Sequence, residues 1–153
     1  MRLGVVGYGM GGRYFHTPFI QAANGIELVG IVTRSTERAA QVELDAPGTP
    51  VYSSLGELID AGVDAVTIAT PPATRRELVL EALSRGVHVV ADKPFAPDPA
   101  GGVELVRAAE RAGLMLSVFQ NRPLCFFLRE LLKTKVAKIM ENRGKHFLRC
   151  DQT

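Results

Sequence analysis

The chain has 153 residues, 46% of them hydrophobic, and its 18 basic and 16 acidic side chains leave a formal charge of +2. That length buries the core of one ordinary domain and is too short for a full two-domain enzyme. No apolar run approaches the roughly 18 to 20 residues of a membrane span, and Leu3 to Val6 is too short for a signal peptide, so a cytoplasmic protein is the expectation.

The first element is a short apolar strand, Leu3 to Val6, that runs straight into Gly7-x-Gly9-x-x-Gly12. Each glycine has a separate task in a dinucleotide-binding turn. Gly7 lets the chain leave the strand sharply, Gly9 presents no side chain to a diphosphate, and Gly12 lets the following helix pack closely. That helix is expected over Arg13 to Ala23, with its N-terminus facing the ligand. A structural turn that binds nothing is the competing reading. Tyr8, Met10 and Gly11, within the same turn, belong to the same candidate site.

Glu27 to Thr33 reads as the second strand, and Ser35 to Leu44 as a helix opened by a capping serine. NAD is usually met at the end of this strand by a carboxylate on the ribose. Here the residues are Thr33, Arg34, Ser35 and Thr36, with Arg38 one turn on, and no carboxylate precedes Glu37. NADP is therefore the expected cofactor, its extra phosphate contacted by Arg34 and Ser35, with Thr33 and Arg38 also at the cofactor and NAD as the alternative. The rival reading makes Ser35 a helix cap and Arg34 a solvated charge, and the two roles of Ser35 are compatible.

A short strand at Val51 and Tyr52 and a helix from Leu55 to Asp60 follow. Ala65 to Ala69 is the fourth strand, Thr74 to Ser84 a helix stopped at Gly86, and Val87 to Ala91 the fifth strand. Pro99 to Ala112 is a helix ended by Gly113, and Leu114 to Phe119 the sixth strand. Strands alternating with helices predict an α/β protein, a doubly wound parallel sheet in the order 3-2-1-4-5-6.

Such sheets bind ligands at the carboxyl edge of their strands. The fourth strand ends there in Thr70-Pro71-Pro72, a stiff turn suited to the nicotinamide half of the cofactor, or a plain structural turn. The fifth ends in Asp92-Lys93-Pro94, and Lys93 is the only lysine before position 133. An ammonium, unlike a guanidinium, gives up its proton at accessible pH when partly desolvated. Lys93 is thus a candidate proton donor or acceptor with Asp92 holding it, against the alternative of a solvated charge.

These pieces resemble the N-terminal domain of the glucose-fructose oxidoreductase, inositol dehydrogenase and rhizopine-catabolism family (Gfo/Idh/MocA). The matching segments are GYGMGG at Gly7 to Gly12, TPPATR at Thr70 to Arg75, DKP at Asp92 to Pro94 and VFQNR at Val118 to Arg122. Phe15-His16-x-Pro18 with Thr33-Arg34-Ser35 is similar to the branch containing NADP-dependent scyllo-inositol dehydrogenases. The resemblance implies hydride transfer between a nicotinamide and a hydroxyl-bearing carbon of a sugar, inositol or polyol, with Lys93 as the catalytic lysine. It also implies that Gln120 and Asn121 lie near the nicotinamide. Asp92 stands where the family has Glu, and Arg75 where it has His.

After Arg122 the pattern changes. Residues 1–121 carry ten Lys and Arg against thirteen Asp and Glu, while residues 122–153 carry eight against three and hold both cysteines, Cys125 and Cys150. Reduced thiols without zinc spacing are expected, and no metal site. An amphipathic helix from about Phe126 to Met140 is predicted. The division expected is a nucleotide-binding domain over 1–122 and an atypical basic tail over 123–153, a truncated or rearranged start of a substrate domain. A solvated basic face without a groove-reading motif argues against nucleic acid and membrane partners. A small-molecule polyol or sugar substrate is the expected partner, a homo-oligomer is left open, and a non-catalytic NADP-binding sensor or regulatory module is the alternative function.

Overall fold

A computed structural model describes residues 1–120. The predicted tail helix, together with Asn121 and Arg122, lies outside the described residues. Six strands form one parallel sheet: β1 (Arg2–Val6), β2 (Glu27–Val32), β3 (Val51–Tyr52), β4 (Ala65–Ile68), β5 (His88–Asp92) and β6 (Leu116–Phe119). Their order is β3-β2-β1-β4-β5-β6, as the alternating pattern predicts.

The crossover helices are α1 (Thr17–Ala22), α2 (Thr36–Asp45), α3 (Leu55–Asp60), α4 (Pro72–Ser84) and α5 (Pro99–Ala112). Strand residues alternate between two cores. Val5, Ile31 and Ala65 face Ile20 of α1 and Val42 of α2. Val6, Val66, Ile68 and Val89 face Leu58 of α3, Val79 and Leu83 of α4, and Leu105 of α5. With both faces covered, all ligand access is left to the sheet edges.

Two strand starts fall later in the chain than the hydrophobic runs suggest, for one shared reason. Gly86 and Gly113 both take a positive φ after a helix. Val87 N–H donates back to the Ala82 carbonyl at 3.0 Å, and Leu114 N–H to the Ala109 carbonyl at 3.0 Å. Both residues therefore belong to Schellman-type helix ends rather than to β5 and β6. At its other end β5 runs through Asp92, which pairs with Phe119.

The first helix also differs from the expected α-helix over Arg13 to Ala23. It opens with a π-helical turn, Gly11–His16, closed by Thr17 N–H on the Gly12 carbonyl. Pro18 explains the widening, because its ring would clash with the carbonyl four residues back in a regular helix. The extra residue in the turn lets the consecutive His16 and Thr17 both be buried.

Candidate functional site

At the end of β1, Gly7 has φ +96°, and a Cβ there would meet Thr70 Cγ2 at 3.0 Å. A Cβ on Gly12 would lie 2.0 Å from the Gly7 carbonyl oxygen, whereas one on Gly9 would meet nothing within 4 Å. Gly12 is thus fixed by packing, and Gly9 opens onto free space beside the turn. Met10 is 74% exposed. A Cβ on Gly11 would lie 2.6 Å from Asp92 Oδ2, so this glycine makes room for a carboxylate of the protein itself.

The Tyr8 side chain points away from this opening into the core and is 2% exposed. Its hydroxyl donates to Asp45 Oδ2 at 3.1 Å, and Arg13 Nε donates to the same oxygen at 2.6 Å. Burial first, then the bond to Asp45, pushes the Tyr8 hydroxyl up to about 12. Only the main chain of Tyr8 is left to face a ligand.

At the end of β2, Thr33 Oγ1 accepts from Ser35 N–H at 3.3 Å, and Ser35 Oγ accepts from Arg38 N–H at 3.3 Å as the cap of α2. Arg34 and Arg38 are exposed. Neither forms an ion pair among the described residues.

The end of β5 is held from two sides, and one of them ties it to the end of β4. His16 is 5% exposed and packs edge-on against Phe119, with ring centroids 4.5 Å apart. Its Nε2 donates to Asp92 Oδ1 at 2.7 Å. From α4, Arg75 is 3% exposed. Its Nη1 donates to the Asp92 carbonyl at 2.6 Å and to the Pro94 carbonyl, and its Nη2 to the Thr70 carbonyl. Burial draws the Arg75 guanidinium below its ordinary value, partly offset by the Asp92 charge. Lys93 lies between the two bonded carbonyls and is itself exposed, as are Pro71, Pro72 and Gln120. Thr70 Oγ1 is buried without a hydrogen-bond partner among the described residues.

The description of an oxidoreductase family with an NAD-binding Rossmann fold matches residues 1–120. The chain belongs to the Gfo/Idh/MocA family. It is 32% identical over 123 residues to scyllo-inositol 2-dehydrogenase (NADP(+)) IolW of Bacillus subtilis, covering 80% of this chain and 34% of that protein. It is 40% identical over 96 residues to galactose 1-dehydrogenase of Pseudomonas fluorescens, covering 61% and 29%. Among solved structures, a variant of KijD10, a 3-ketoreductase from Actinomadura kijaniata in complex with TDP-benzene and NADP, superposes with a TM-score of 0.73. It is 26% identical, and the match covers 87% of this chain and 43% of that one. The chain spans about a third of the length of curated relatives such as IolW.

The residues of this Gfo/Idh/MocA domain fit a bound dinucleotide. Gly9 leaves an open approach to the turn, and Thr70 offers a buried hydroxyl with unused bonding capacity. The signal that sequence reasoning missed is Arg75. It sits four residues before Val79 and seven before Ala82, on the buried stripe of α4, and a charge at such a position needs internal partners. An open groove of about 460 Å³ along α5, lined by residues such as Phe95, Val103 and Val106, includes none of the expected site residues.

Proposed function

We propose that residues 1–122 form the NADP-binding domain of an oxidoreductase acting on a hydroxyl-bearing carbon of a sugar, inositol or related polyol. When bound, the nicotinamide supplies the hydride acceptor or donor. The main chain of Gly7, Tyr8, Gly9, Met10, Gly11 and Gly12 would receive the diphosphate. Thr33, Arg34, Ser35 and Arg38 would hold the phosphate that distinguishes NADP, a role supported by the exposed, unpaired guanidinium groups and by the missing carboxylate at the end of β2. Thr70, Pro71 and Pro72 would border the nicotinamide half.

Lys93 moves the proton of the substrate hydroxyl in this reading, and Asp92 orients the turn that carries it. The observation that supports it best is an exposed lysine whose two flanking carbonyls are both fixed, at the same sheet edge as the open glycine turn. The preference for NADP is supported by the NADP named for IolW and for the KijD10 complex.

The test is a fluorescence titration with NADPH and NADH, followed, with a family-type substrate domain supplied, by hydride transfer with a panel of polyols and sugars. Saturable binding, tighter for NADPH, is expected. Lys93→Ala should keep that binding and lose about 100-fold or more in turnover, the scale of general acid–base catalysis. Folded protein that binds neither coenzyme would overturn the proposal.

A further inference from the structure

We infer that Arg75 is a positioning residue for Lys93, its buried guanidinium fixing the lysine turn against the end of β4. This rests on the role proposed for Lys93. The two carbonyls that Nη1 reaches belong to Asp92 and Pro94, one residue to either side of Lys93. The carbonyl that Nη2 reaches belongs to Thr70, whose methyl group lies beside Gly7. One planar group therefore links the Thr70-Pro71-Pro72 turn to the main chain that carries Lys93.

The chemistry of the side chain suits that task. A guanidinium offers its donors in a fixed plane, so it holds several carbonyls in one geometry as an ammonium does not. Among the described residues no carboxylate oxygen bonds to Arg75, and the Asp92 carboxylate bonds His16 through Oδ1. The hydrogen bonds of Arg75 go to main-chain oxygens alone, while Nε has no partner among the described residues. An apolar side chain would fill this core-facing position without desolvating a charge. It would also leave three carbonyls at the sheet edge without their donor.

The test compares the 153-residue chain with Arg75→Met, Arg75→Lys and Arg75→Gln by thermal melting and ¹⁵N relaxation. In Arg75→Met, the backbone order parameters of Lys93 and Phe95 should fall from about 0.85 to below about 0.6. Those of Val66 and Val89 should stay at their native values, and Arg75→Lys should recover part of the loss. A melting temperature that drops while Lys93 and Phe95 stay as ordered as Val89 would overturn the proposal, since that marks a plain core residue. If Arg75→Met does not fold, Arg75→Gln, which keeps two donors, is judged by the same criteria, and failure of both to fold also overturns it. Lys93→Ala separates this inference from the one it rests on. Unchanged turnover there would remove the proton-transfer role of Lys93 and leave the relaxation result standing for Arg75.

Discussion

At the glycine turn the chain makes room by leaving side chains out, whereas at the ends of β4 and β5 it fills the edge with a buried arginine and a histidine–aspartate pair. The first region depends on what a Cβ would strike: the Gly7 carbonyl at Gly12, nothing at Gly9. The second depends on donors reaching acceptors, with His16 on the Asp92 carboxylate and Arg75 on three carbonyls. An opening made by glycines is rigid only through packing around it. A surface made by charged hydrogen bonds is rigid through the bonds themselves, and each lost donor strands a buried acceptor.

The sharpest way to break the first region is to separate its packing glycine from its open one. Gly12→Ala sets a methyl 2.0 Å from a main-chain oxygen that cannot swing aside. We expect a loss of at least about 3 kcal/mol in thermal or urea unfolding, outweighing the roughly 1 kcal/mol that alanine gains over glycine inside a helix. Gly9→Ala meets no atom and should leave stability within about 0.5 kcal/mol of native, while lowering NADPH affinity about tenfold or more. Equal stability losses in the two variants would remove the distinction between them.

The same contrast explains what could be read from the amino-acid sequence. Glycine spacing, β-branched runs and capping residues are local signals, so the six strands, their order and the Gly7 to Gly12 turn were legible. The π-helical turn was not, because Pro18 is compatible with either a helix start or a widened turn until the sheet edge beneath it is known. Nor was the role of Arg75. Its partners lie 5, 17 and 19 residues away, and all are main-chain carbonyls, which carry no residue identity. His16 and Asp92 are 76 residues apart, and only the parallel sheet brings them together.

A smaller effect should come from the end of β2, which is open like Gly9 but carries charge. Arg34 is exposed and unpaired among the described residues. Arg34→Ala should therefore leave the melting temperature unchanged. A charge-assisted hydrogen bond contributes about 1.5–3 kcal/mol, so NADP affinity should fall roughly 10- to 100-fold while NAD affinity barely moves. Equal losses for the two coenzymes would show that Arg34 does not read the extra phosphate.

The smallest effect concerns how the glycine turn is tied to α2. Hydrogen bonds from Arg13, then Gln41 and Tyr8, hold the Asp45 carboxyl below the usual carboxylate range, against a smaller opposing contribution from burial. A depressed folded-state value means that the stabilisation is fully present above the unfolded carboxylate pKa of about 4 and is lost as pH falls through the lower folded value. Asp45→Asn removes this dependence and leaves the Tyr8 hydroxyl an amide to face. The melting-temperature difference between native and Asp45→Asn protein should thus be constant from pH 7 to about pH 5 and shrink on further acidification. The pair is partly exposed, so added salt should also narrow the difference. The Arg75 cluster has no carboxylate bonded to its guanidinium, and Arg75→Met should show no matching salt dependence. A difference at Asp45 that ignored both pH and salt would mean that this tie, like the packing at Gly12, is held by shape rather than by charge.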